Sequence, residues 1–86
     1  MSVSNNQWAS PAHVGDWLMD VNDRRHPTEL LVRRGRTPVL TVSISAAEDV
    51  STKADDLVTC AGLSRGVANQ LVMQLAAKLA VTDGRP

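Results

Sequence analysis

Residues Ser10–Pro27 read SPAHVGDWLMDVNDRRHP, and the local structure of this stretch sets the architecture of the N-terminal half. Ser10 suits a helix N-cap, and Pro11 suits the first helical position, where its missing N–H costs nothing. Val14, Trp17, Leu18 and Val21 recur at i, i+3, i+4 and i+7, the apolar stripe of a helix. Arg24, Arg25 and His26 stand at the carbonyl end, where the helix dipole favours positive charge, and Pro27 stops the element. The pattern predicts an N-terminal helix with Trp17 buried on its apolar face. Trp8, in the polar lead MSVSNNQW, should be less buried, and a weak strand signal runs from Val3 to it.

Downstream the period changes from helical to alternating. TELLVR (28–33) and PVLTVSIS (38–45) are rich in Leu, Val, Thr and Ile, and the second places Leu40, Val42 and Ile44 on one face. Between them RRGRT carries Gly35, which can take the positive φ of a tight hairpin. SAAE (45–48) has the spacing of a capping box, and TKAD (52–55) has a weaker version of it. A helix is expected from Lys53 to Ala61, ended by Gly62. Ser64 can cap a last helix with Val67, Leu71, Leu75 and Leu79 at four-residue spacing, before a fraying tail. The expected fold is α+β: an N-terminal helix plus an antiparallel β-hairpin over residues 1–49, its small sheet extended by dimerisation, followed by C-terminal helices over 50–86.

Composition narrows the function classes. The chain has 86 residues, is 43% hydrophobic, and contains two Trp but no Phe or Tyr, so its core must be aliphatic. So small a core is marginal alone, which leads to the expectation of a homodimer. The single cysteine, Cys60, permits no disulfide within the chain, fits a reducing compartment, and reads as a small buried apolar residue. There is no signal-peptide pattern and no apolar run approaching the roughly 18–20 residues that span a bilayer, so a cytoplasmic protein without a membrane partner is expected. His13 and His26 lack metal-ligand spacing, Asp55 and Asp56 diverge as helical neighbours, and Gly35 lacks a phosphate-loop context. No enzyme, metal or cofactor is expected.

Formal net charge is zero, yet Arg24, Arg25, Arg33, Arg34 and Arg36 put five of the nine basic residues into one short window. This is either a solvated hairpin edge or an anion-binding patch. The C-terminal half adds a second signal. DDLVTCAGLSRGVANQLVMQLAAKL looks like a helix-turn-helix, in which Leu57, Ala61, Gly62, Leu63, Ala68 and Leu71 pack the two helices. Ser64, Arg65, Asn69 and Gln70 would then face a DNA groove, Arg suiting guanine and Asn or Gln suiting adenine. A helical hairpin packed on the sheet or on a partner gives the same spacing, with Asn69 and Gln70 solvated.

HVGDWLMDV and ELLVRRGRTPVLTVS together resemble the first helix and basic hairpin of the prevent-host-death (Phd/YefM) antitoxins, and SAAE resembles the start of the following helix. The resemblance covers about residues 3–49. It implies dimerisation through the sheet, autorepression by binding operator DNA, and neutralisation of a cognate toxin. On that reading Arg33, Arg34 and Arg36 engage phosphates, helped by Arg24 and Arg25, while Arg65, Asn69 and Gln70 lie in the groove. The other reading is a small inhibitor, carried by a mobile element, that binds a host protein through the basic hairpin and the C-terminal helices.

Overall fold

A computed structural model describes residues 11–83, and the side chains as far as residue 80. Ser10, Trp8 and the Val3–Trp8 strand signal lie outside the described residues, as does the tail from residue 84.

The stretch read as an N-terminal helix is a β-hairpin. Strand β1 (Ala12–Val14) pairs antiparallel with β2 (Trp17–Val21), and Val14 faces Trp17 across the turn Gly15–Asp16. Gly15 has φ +59°, a conformation that costs a glycine little and other L-residues more. The helical stripe Val14–Trp17–Leu18–Val21 is real, but so is an alternation of Trp17, Met19 and Val21. The structure follows the alternation: Met19 and Val21 are fully buried, whereas a helix burying Val14 and Leu18 would turn Met19 away. Gly-Asp between two apolar runs is a hairpin signal in its own right.

Strands β3 (Glu29–Arg34) and β4 (Thr37–Ser43) form the second hairpin, as the sequence predicts, with Gly35 at φ +62°. Pairing of β2 with β3 joins the two hairpins into a four-stranded antiparallel sheet of order β1-β2-β3-β4. Strands therefore come first and helices last, which overturns the expected helix-first arrangement. A bulge at Val39 accommodates Pro38, which sits opposite Arg33.

A short 3₁₀ helix (Ala47–Thr52) follows, then α1 (Ala54–Ala61) and α2 (Arg65–Asp83). The capping box at Ser45 does not form, since it is the Asp49 carboxylate, not Glu48, that accepts the Ser45 N–H at 2.7 Å. Gly62 ends α1 at φ 78°. Ser64 caps α2 as expected, its hydroxyl accepting the Val67 N–H at 3.3 Å.

The helices cover one face of the sheet. Met19, Val21, Leu30 and Val32 from the strands share a single core with Leu57 of α1 and Leu71, Leu75 and Leu79 of α2. Both halves of the chain thus contribute to one hydrophobic core. Trp17 is half-buried at its margin. Cys60 is exposed rather than buried, because α1 turns Leu57 inward and leaves Thr59 and Cys60 on its solvent side.

Candidate nucleic-acid interface

Antiparallel order puts the two hairpin turns at one end of the sheet. There the Gly35 N–H donates to the Asp16 carbonyl at 2.8 Å. The β2–β3 loop, residues 22–28, lies at the other end, separated by the length of a six-residue strand, about 20 Å. The five arginines that crowd the sequence are therefore split. Arg34 and Arg36 sit exposed at the turn end, and Arg24 and Arg25 sit at the loop end.

Each arginine has its own surroundings. The Arg34 guanidinium lies over the Trp17 ring, 5.5 Å from its centroid, a cation–π contact that steadies a side chain otherwise in solvent. Successive strand residues face opposite ways, so Arg33 is half-buried on the sheet face away from the helices. Arg24 is committed to Asp20, donating from Nε at 3.1 Å and from Nη2 at 2.8 Å. The hydrogen bond to Asp20, opposed by desolvation and aided by Asp20's charge, holds its pKa above the ordinary value. Arg25 and His26 line a cleft of about 270 Å³ that also contains Ser45 and Glu48, so an acidic side chain shares it.

Helix α2 runs from the turn end toward the loop end. Gln74 meets His13 of β1, and Leu79 lines the loop-end cleft beside Pro27 and Ala47. Arg65, nine residues before Gln74, stands about 13 Å back toward the turns. α1 is an eight-residue helix, and residues 62–64 form the turn before α2. Leu57, Leu63, Ala68 and Leu71 are buried between or beneath the two helices, while Arg65, Gly66, Asn69, Gln70 and Met73 are exposed along α2. The Arg65 guanidinium pairs with the Asp55 carboxylate of α1, and both side chains are well exposed, at 59% and 77%. Such a pair is worth little in water.

Of the residues the sequence singles out, the structure brings Arg34 and Arg36 to one end and Arg65, Asn69 and Gln70 onto one outward helix face. It separates Arg24, Arg25 and Arg33 from them. Trp17, as the surface under Arg34, and Asp55, as the partner of Arg65, enter the site only through tertiary structure. No helix among the described residues is long and apolar enough to cross a membrane.

Comparison of the chain with protein-family models, curated proteins and solved structures finds no match.

Proposed function

We propose that this protein is a transcriptional regulator that binds double-stranded DNA, reading sequence with the exposed N-terminal half of α2 and gripping phosphates with Arg34 and Arg36. The observation that carries the reading is the α1–turn–α2 unit. An eight-residue helix, a short turn with left-handed Gly62 and a second helix bury Leu57, Leu63, Ala68 and Leu71 and leave Arg65, Asn69 and Gln70 together in solvent. That division of buried and exposed positions is the one a helix-turn-helix needs to enter a major groove. HVGDWLMDV forms strands and not the first helix of the prevent-host-death antitoxins, so the resemblance now rests on the basic hairpin. That hairpin adds two proposed roles: the operator lies in the protein's own promoter, and a small toxin binds the same chain.

Binding to a promoter fragment, measured across a salt series, tests the reading. Arg65→Ala should cost about 1–3 kcal/mol on the preferred sequence and little on random DNA. Promoter binding that is undetectable at low salt removes the proposal.

One observation favours the inhibitor reading. Met73 is 70% exposed in the middle of the outward face of α2, and an exposed methionine suits a protein partner better than a phosphate backbone. Met73→Lys separates the two readings, since it should leave or raise DNA affinity but weaken a protein contact.

A further inference from the structure

The two edges of the sheet are treated differently. β1 is a three-residue strand, and its outer side is closed by α2: Gln74 Nε2 donates to the His13 carbonyl at 3.0 Å, and Gln74 Oε1 accepts the His13 N–H at 3.0 Å. One side-chain amide thus stands in for a neighbouring strand. At the other edge β4 is seven residues long, and among the described residues no strand pairs with its outer side. The Ile44 N–H donates to the Thr28 carbonyl at 3.0 Å, so alternation along the ladder turns Leu40, Val42 and Ile44 toward β3 and points the backbone groups of Thr41 and Ser43 outward. Folded proteins guard such edges with charge, shortness or cover. Here Thr37 to Ala47 contains no charged residue, and the bulge and Pro38 affect only the beginning of the strand.

We propose that β4 pairs antiparallel with β4 of a second copy of this chain, about a two-fold axis at Val42, to make one continuous eight-stranded sheet. That register sets Thr41 opposite the partner copy's Ser43 on both sides of the axis and satisfies all four outward backbone groups. Val42 meets its own copy, and Leu40 meets the copy of Ile44, so the apolar helix-covered face continues across the join. The absence of charge selects a second copy as the occupant. In two-fold pairing a strand faces itself, any charge at its centre meets its like, and an uncharged strand is self-complementary. The inference is independent of the nucleic-acid reading and is measured without DNA.

Sedimentation and amide hydrogen exchange on the full chain test it. The unaltered chain should sediment at twice its own mass, and the Thr41 and Ser43 amides should exchange more slowly as concentration rises. The Leu40 and Val42 amides, already bonded to β3, should be protected at every concentration. The double variant Thr41→Lys, Ser43→Lys places two like-charge pairs across the axis and should raise the dissociation constant about tenfold or more. The pair Thr41→Lys, Ser43→Glu places opposite charges there and should keep the dimer. A chain that is monomeric at about millimolar concentration, far above micromolar interface affinities, overturns the proposal. So does a dimer whose Thr41 and Ser43 amides exchange freely, or a Lys/Lys variant that dimerises like the parent.

Discussion

Asp20 is fully buried on the sheet face away from the helices, and Arg24 holds both of its carboxylate oxygens, at 3.1 Å and 2.8 Å. Asp20 Oδ1 also accepts the Val21 N–H at 2.8 Å. The pair ties the start of the β2–β3 loop to the strand that precedes it. Arg24→Ala should therefore destabilise the fold by about 3 kcal/mol, because it strands a buried carboxylate without its partner. Urea unfolding measures this, and adding Asp20→Asn to Arg24→Ala should recover part of the loss. The raised Arg24 pKa fixes the pH window: the contribution is fully present below the unfolded arginine value and is lost only above the still higher folded one. The stability difference between the parent and Arg24→Gln should thus stay flat through the mildly alkaline range.

Gly15 separates the hairpin from a helix by the sign of one mutation. Its φ is +59°, and nothing lies within 4 Å of a Cβ placed there, so backbone strain alone decides the outcome. Gly15→Ala should destabilise by about 1–2 kcal/mol. In the interior of a helix the same change would stabilise by roughly 0.8–1 kcal/mol. A rise in melting temperature for Gly15→Ala would reinstate the helix.

The separated arginines should behave differently toward DNA. Arg34→Glu with Arg36→Glu should weaken promoter binding and flatten its salt dependence by a slope of about 0.9 per lost phosphate contact. Arg25→Glu, at the opposite end of the sheet, should leave that slope unchanged. Trp17 supplies a local reporter, because Arg34 lies over its ring. In a Trp8→Phe background, DNA binding should change the remaining tryptophan emission.

On the proposed DNA reading, Asp55, the carboxylate paired with Arg65, should compete with DNA for it. Removing it as Asp55→Ala frees the guanidinium and takes away a negative charge next to the proposed groove-facing helix. Promoter affinity should rise by a few-fold, with a thermal-stability change below about 1 kcal/mol, the range for exposed pairs. Lower affinity in that variant would mean that the carboxylate orients Arg65 for its contact, and the competition account would fall.

The C-terminal helices and the second hairpin were legible because their signals are local. Gly62 and Gly35 need positive φ, Ser64 can cap its own helix, and Leu71, Leu75 and Leu79 repeat at one helical period. The exposed set Arg65, Asn69 and Gln70 followed from that same period. Residues 12–21 were ambiguous in the sequence, since Val14, Trp17, Leu18 and Val21 satisfy a helix while Trp17, Met19 and Val21 satisfy a strand. Over ten residues neither period excludes the other. What decided between them was non-local: Met19 pairs with Val32 and Val21 with Leu30, partners on the far side of the 22–28 loop. The same pairing buried Asp20, engaged Arg24 with it, and set Arg25 a strand's length from Arg36. Spacing along a chain fixes which way a side chain faces within one element. Only the packing of elements against one another fixes which charges end up side by side.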